Sequence, residues 1–531
     1  MEDRQATGGA TTKVRVNGTP AEATLSTTTG GCPELRWHCA GATAERSLSL
    51  EADVLGAVAS GKEVVVRAFV ADDAARPPPC AKAGGKRRRR EYVFEMADGE
   101  GAAAAWGGTL RGCLDSFGRP KRLFVLINPY GGKRRASKIY EAEIKPLLEA
   151  AGVEVTMQET RYRGHAREVA SSLDLARYDG IVCVSGDGVL VELVNGILQR
   201  SDWEEAIKMP IGVVPAGTGN GMAKSLLHAA SETCSVSDAV FAIIRGHKQA
   251  LDVCTIAQGE KIVFSVLSTT WGLVADVDIE SEKYRWMGSA RFDFYALVRI
   301  MNLRRYRGSV HFVPAPGYEA YGDPVKQSET PIVEQNGESR VCSYQGPRAE
   351  FQGSDWRSID GPFVGVCVYN VPWAAENAMA APEAKFSDGY MDAVILKDCP
   401  KADLLALLLK MSDGSYVKSP HVTYLKVGHF FPVNLIINLQ QFKHRANLLP
   451  YSGSSVEFFL TSLTLQVKSF RLSPGQLVED PKRGGIVDVD GEVVARGEGT
   501  YGMNQDQYLM AYGPSVQLTV HQGLATVYRP K

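Results

Sequence analysis

The sequence predicts a doubly wound, parallel-sheet α/β domain followed by an antiparallel β-sandwich domain, with a small β-rich module in front. Three observations carry this. The apolar runs Leu123–Ile127, Gly180–Val184 and Ile211–Val214 each break into a glycine-bearing turn, the rhythm of βαβ units. After Leu251 the hydrophobic pattern takes the period of strands. Before Gly118, short β segments alternate with turn-rich connections.

Residues 1–117 come first. Lys13–Asn17 and Glu63–Val70 read as strands, and a helix near Trp106–Phe117 closes the region. A strand-rich unit ending in one helix suits a pleckstrin-like module, for which membrane targeting is one use. The run Lys86–Arg90 would attract anionic headgroups at about 1 kcal/mol per basic residue. The plain alternative is a solvated loop or hairpin tip.

Residues 118–250 alternate strand and helix. After the first strand come Asn128-Pro129-Tyr130-Gly131-Gly132-Lys133 and an amphipathic helix with Ile139, Tyr140, Ile144, Leu147, Leu148 and Ala151 at helical spacing. The second strand ends in Ser185-Gly186-Asp187-Gly188, a lone carboxylate between glycines. Asp-Gly alone is turn chemistry and recurs at 98–99, 360–361 and 413–414. A carboxylate at the carboxyl end of such a strand, however, lies where open α/β sheets bind ligands. The third strand runs into Pro215-Ala216-Gly217-Thr218-Gly219-Asn220 and a helix from about Gly221, whose leading amides offer an anion site. Together the three loops point to a nucleotide or polyphosphate.

Residues 251–531 read as β: Leu251–Ala257, Lys261–Thr269, Ser309–Val313, Phe363–Tyr369 and Met391–Leu396, with Ala402–Met411 as an inserted helix. Polar insertions are expected near 314–360, where Lys326–Asp360 reads as a mobile loop. Gly428–Gln466 shows aromatic and aliphatic clusters without a clean period. It reads as a retained non-coding stretch of the gene, the alternative being a lipid-contacting insertion.

With 531 residues, 44% hydrophobic, and a formal net charge of −1, the chain has room for roughly two to four domains and lacks the basic excess of nucleic-acid binders. Its ten cysteines show neither close pairing nor metal-ligand spacing, which suits a reducing compartment. Met1–Gln5 lacks a signal peptide's character, the C-terminus carries no prenylation motif, and no apolar run reaches the roughly 18 residues of a membrane span. The expectation is a cytoplasmic protein with peripheral membrane contact.

The loops at 128–133, 185–188 and 215–220, together with Thr160-Arg161-Tyr162-Arg163-Gly164-His165 and Val489-Asp490-Gly491-Glu492, resemble the diacylglycerol-kinase-type catalytic domain. The stretch Trp271–Arg285, with Asp276, Asp278, Glu280 and Glu282, is similar to the sphingosine kinase branch. The resemblance runs from about Gly118 to Val427 and resumes near Val467; the N-terminal region and Ala495–Lys531 match only loosely.

It implies an ATP- and Mg²⁺-dependent kinase acting on the primary hydroxyl of a sphingoid long-chain base such as sphingosine, phytosphingosine or sphinganine. Asp187 becomes the catalytic residue, taking the hydroxyl proton or organising Mg²⁺ through water, with Ser185, Gly186, Gly188 and Asp278 near the substrate. Asn128, Pro129, Tyr130, Thr160, Arg161, Tyr162, Arg163, Gly164, Glu192, Gly217, Thr218, Gly219, Arg285, Arg291, Asp490, Gly491 and Glu492 are expected at the nucleotide, and no residue is assigned as a direct metal ligand.

Asp278 is the specificity residue, because a carboxylate beside a lipid headgroup implies a cationic partner. Asp276 shares that work or faces solvent on a strand's outer side. Leu273 lines the lipid slot or belongs to the core; His165 caps or packs; Lys133 touches phosphate or is solvated. Alternatives are a ceramide or diacylglycerol kinase, an NAD-kinase-like enzyme, and a non-catalytic membrane adaptor.

Overall fold

The computed structural model describes residues 10–26, 33–71, 87–132, 134–325, 356–427, 467–500 and 508–531. They fold into two compact units. The first comprises residues 1–190, 209–249 and 526–531, the second residues 191–208 and 250–525.

In the first unit, seven antiparallel strands form one sheet in the order Arg46–Ser49, Glu34–Cys39, Thr19–Ser26, Ala10–Val16, Arg87–Met96, Glu63–Ala71, Val54–Ser60. Alternation sends Val64, Val66 and Ala68 inward, where Trp37 meets Phe94 edge-on. The helix Glu100–Ser116 covers this core with Ala103, Gly107, Leu110 and Leu114. It starts six residues earlier than the sequence suggests, because Ala102–Ala105 are strong helix formers whose outward face needs no apolar period.

The basic run is not a loop or hairpin tip. Arg87–Arg90 begin a strand, pairing with Ala71, Val70, Phe69 and Ala68, since strand pairing satisfies their backbone while Arg88, Arg89 and Arg90 are exposed. Arg87 donates to the carbonyls of Ala52 and Phe69.

Behind this module the parallel sheet runs Glu154–Glu159, Arg122–Ile127, Gly180–Ser185, Ile211–Pro215, with Val527 from the chain's end beside Ile211. The chain leaves the strand Arg122–Ile127 to one side and returns on the other. Open α/β sheets bind ligands at such a switch point, which here lies at the strands' carboxyl ends, by Asn128 and Ser185. Helix 136–150 (with one π turn at Tyr140–Ile144) buries Tyr140, Ile144, Leu147 and Leu148 against the sheet.

Arg119 ties the module to the sheet. Its guanidinium donates to the carbonyls of Leu50, Glu51, Val54 and Leu55 at 2.7–3.2 Å. Burial pushes it down to about 10, so it is still charged at neutral pH.

The second unit is an antiparallel sandwich. Ser268–Gly272 lies between Phe363–Tyr369 and Ile486–Val489; Phe363–Tyr369 continues to Met391–Lys397 and Val422–Val427. Tyr306–Phe312 pairs with Val467–Leu477 and with Arg357–Asp360. The fully buried rings of Trp271, Tyr306, Phe312, Phe363 and Phe470 fill its core.

Three expectations are corrected here. The single strand Lys261–Thr269 is two, Lys261–Ser265 and Ser268–Gly272, because the amides of Val266, Leu267 and Ser268 turn to the Asp490 carboxylate at 2.7–3.0 Å. Leu273–Glu280 and Ala290–Met301 are helices where β structure was expected. Arg357–Asp360, at the end of the expected loop, is a strand. The inserted helix is present as Lys401–Leu409. The rest of that loop (326–355), the segment 428–466, Lys86 and Lys133 lie outside the described residues.

Replacing Arg119 by Ala would leave four carbonyls without their buried donor. The first unit should lose about 3 kcal/mol of stability, read as a lower first midpoint in urea unfolding. An unchanged midpoint would contradict the tie.

Candidate active site

Three glycine loops of the first unit meet backbone to backbone. A Cβ on Gly217 would lie 2.2 Å from Gly186 Cα, and one on Gly186 would lie 3.1 Å from Gly217 Cα. A Cβ on Gly132, itself at φ +51°, would lie 3.0 Å from the carbonyl oxygens of Ala216 and Gly217. No side chain fits between these loops, which is why glycine stands in all three.

Polar side chains then set each loop. Asn128 Oδ1 accepts the Tyr130 amide at 3.0 Å. Asn220, left-handed at φ 56°, caps the third loop and accepts the Gly217 amide at 2.9 Å. Asp187 sits in the first turn of helix Asp187–Ile197, and its two oxygens accept the amides of Gly221 and Met222 at 2.8 and 3.0 Å. The head of helix Gly221–Ala229, expected to hold an anion, therefore holds this carboxylate instead. An ionised acceptor is the better partner for amides at a helix's positive end.

Around this centre, Ser185 is buried, Gly188 exposed, and Pro129, Thr218 and Gly219 half-buried. Thr160 is buried with its hydroxyl directed at the Ile127 carbonyl. Arg161, Tyr162 and Arg163 are exposed ahead of Gly164, whose left-handed φ of 89° starts helix His165–Ser172. His165 Nδ1 accepts the Arg161 amide at 3.1 Å, closing the turn ahead of the helix. Tyr130 is 60% exposed.

In the second unit the acidic stretch is helical, so Asp276 and Asp278 point to different sides. Asp276 does not face solvent. It is fully buried, receiving the Tyr306 hydroxyl at 2.6 Å, Arg304 at 3.1 Å and Arg299 at 3.4 Å. Burial raises its carboxyl, and the two arginines and the hydroxyl oppose that.

Asp278 is partly exposed. Arg291, buried and stacked over Phe292, stands 3.6 Å from its carboxylate and donates to its carbonyl and to Ser281 Oγ. Arg291 thus fixes Asp278 rather than standing free for a phosphate. Arg285 is exposed, Leu273 packs against the core with Val364 and Ile300, and Glu192 and Glu492 are half-buried.

Asp490 is left-handed at φ 53°, followed by Gly491 at φ 85°. Its carboxylate takes the Ser265 hydroxyl and three amides, and burial pushes it up to about 6 against those donors. The sequence reading missed Asp488. It is fully buried, accepts the Thr270 hydroxyl at 3.1 Å, and its Oδ1 has no hydrogen-bond partner among the described residues. Burial, then the charge of nearby Asp278, hold its carboxyl well above the ordinary range. The alternation Val487-Asp488-Val489-Asp490, acids two apart on one strand face, was the available signal.

Residues 122–256 match the diacylglycerol kinase catalytic domain, and residues 346–431 match the YegS C-terminal NAD kinase beta sandwich-like domain. The chain is 47% identical over 499 residues to sphingosine kinase 2 of Arabidopsis thaliana, covering 94% of this chain and 93% of that protein. It is 45% identical over 486 residues to sphingosine kinase 1 of the same plant, covering 92% and 90%. With human sphingosine kinase 1 it shares 35% identity over 323 residues, 59% of this chain and 82% of that one. The likeness to the plant proteins takes in most of the N-terminal module as well, which the motifs alone matched only loosely.

Asp187→Asn should destabilise the first unit by about 1–3 kcal/mol, because one acceptor oxygen becomes a donor facing an amide. Asp187→Glu, still an acceptor but one methylene longer, tests the geometry instead. Thermal unfolding of the two beside wild type reads this directly; an Asn variant as stable as wild type would contradict the double acceptance.

Proposed function

The chain belongs to the sphingosine kinase family, and from that premise we propose that it transfers the γ-phosphoryl group of ATP to the primary hydroxyl of a sphingoid long-chain base. The products are ADP and the base 1-phosphate. The observation that best supports this reading is the meeting of three glycine loops around one amide-anchored carboxylate.

Phosphoryl transfer is catalysed mainly by positioning and charge neutralisation. The Gly131-Gly132 turn and the amides of Thr218 and Gly219 are assigned to the nucleotide phosphates, with Asn128, Thr160 and the 161–164 segment beside the nucleotide. We assign Asp187, held at the meeting of the loops by the Gly221 and Met222 amides, the proton of the attacking hydroxyl. A carboxylate beside phosphates calls for a cation, and one carboxylate with phosphate oxygens and water is a donor set that suits Mg²⁺. Bound there, Mg²⁺ would neutralise phosphate charge, with Asp187 holding it through water.

Asp278 is assigned to the substrate's ammonium. It is a partly exposed carboxylate fixed by Arg291. Ceramide and diacylglycerol offer no such charge. The substrate is an amphiphile, and no helix among the described residues is long and apolar enough to cross a membrane. We therefore assign peripheral membrane contact, to which the exposed arginines Arg88, Arg89 and Arg90 contribute.

Transfer of labelled γ-phosphate to sphingosine, phytosphingosine, ceramide and diacylglycerol tests the reading. Wild type should label the free bases only. Asp278→Asn should raise KM for the base by about tenfold or more and leave KM for ATP unchanged. Equal labelling of ceramide or diacylglycerol would sink the specificity assignment; no labelling of any lipid would leave the adaptor reading.

A further inference from the structure

We propose that Cys399, Asp403 and His421 form a binding site for a zinc-class divalent cation in the second unit. The three come from separate elements. Cys399 follows the strand Met391–Lys397, Asp403 lies in the first turn of the helix Lys401–Leu409, and His421 immediately precedes the strand Val422–Val427. Their thiol sulfur, carboxylate oxygen and imidazole nitrogen all lie within 4.8 Å of one another.

The spacing suits coordination. His421 Nε2 stands 3.4 Å from Asp403 Oδ2. Two ligands on a tetrahedron with bonds of about 2.0 Å are about 3.3 Å apart. The Cys399 sulfur makes a 3.6 Å contact to the Pro400 carbonyl, a weak bond that a metal–sulfur bond would replace. Cys399 is buried, while the side chains of Asp403 and His421 remain 49% and 34% exposed, so an ion can enter from solvent. One thiolate, one imidazole and one carboxylate select zinc over Mg²⁺ or Ca²⁺, which take oxygen ligands. Binding would release the thiol proton to solvent, and the fourth position would hold water.

The ion would close a loop in the sandwich. Met391–Lys397 and Val422–Val427 are antiparallel neighbours, with Leu396 opposite Val422, and the helix Lys401–Leu409 lies on the connection between them. A metal on residues 399, 403 and 421 clips both ends of that connection to the helix. The helix exposes Leu405 and Leu409, at 41% and 75%, so the clip would fix an element whose outer face is apolar. None of this depends on the lipid-kinase reading.

Cobalt(II) titrated into the metal-free full-length chain tests the site. One equivalent should produce a thiolate-to-cobalt charge-transfer band with tetrahedral d–d absorption, and one equivalent of zinc should abolish both. Cys399→Ser should lose the charge-transfer band with its far-ultraviolet dichroism intact. Should that variant fail to fold, Asp403→Asn and His421→Gln carry the test. Each should lower cobalt affinity by more than the roughly tenfold that loss of an outer-shell partner costs. Absence of a thiolate band, or an undiminished band in both of those variants, would overturn the proposal and leave an Asp403–His421 ion pair beside a buried thiol.

Discussion

The contact between the Gly186 and Gly217 backbones is the constraint on which the rest of the first unit's site depends. With 2.2 Å between a notional Cβ on Gly217 and Gly186 Cα, any side chain would force the second and third strand-end loops apart. Keeping them together is what brings Asp187 within hydrogen-bond reach of Gly221 and Met222, a stretch of chain more than thirty residues away. The parallel sheet sets up this approach by ending its strands at one switch point, and the left-handed Asn220 turns the third loop back on itself. A carboxylate on a loop would wander; one held by two amides at a helix head is fixed before any ligand arrives.

The second unit solves a different problem, how to hold acids in an apolar sandwich. Asp276 is surrounded by Arg299, Arg304 and Tyr306, and removal of one partner from such a buried group typically costs about 3–5 kcal/mol. Asp490 is satisfied by one hydroxyl and three amides, at the expense of a continuous strand at 266–268. Satisfaction is incomplete at two of them: among the described residues Asp276 Oδ1 and Asp488 Oδ1 are both buried without a hydrogen-bond partner. Asp488 lies beside the charge of Asp278, and no arginine among the described residues offsets it in the way Arg299 and Arg304 do Asp276. Incomplete satisfaction of this kind marks a place where function, rather than stability, has shaped the sequence.

The strand–glycine–helix rhythm made the α/β sheet legible, because fully buried parallel strands read as unbroken apolar runs. The helix 273–280 was not. Leu-Val-Ala-Asp-Val-Asp-Ile-Glu carries acids at every second position, a period of two that reads as a strand. The buried ion cluster on Asp276 overrides that pattern, and its arginines lie on residues 299 and 304, too distant for local reading. The motif loops were readable as a nucleotide site, but not that Asp187 would take the helix head reserved for an anion. That exchange depends on a tertiary approach no local pattern encodes. Cys399 and His421 are likewise 22 positions apart, and only strand pairing brings them together.

The most direct measurement is ATP binding and γ-phosphate transfer to sphingosine by Gly217→Ala. The account predicts that one added methyl separates the loops and removes transfer by at least about a hundredfold, the scale on which small displacements of positioned groups act. Nucleotide affinity should weaken as well, while the sandwich unit melts unchanged. Wild-type transfer by this variant would contradict the claim that backbone contact between the glycine loops builds the site.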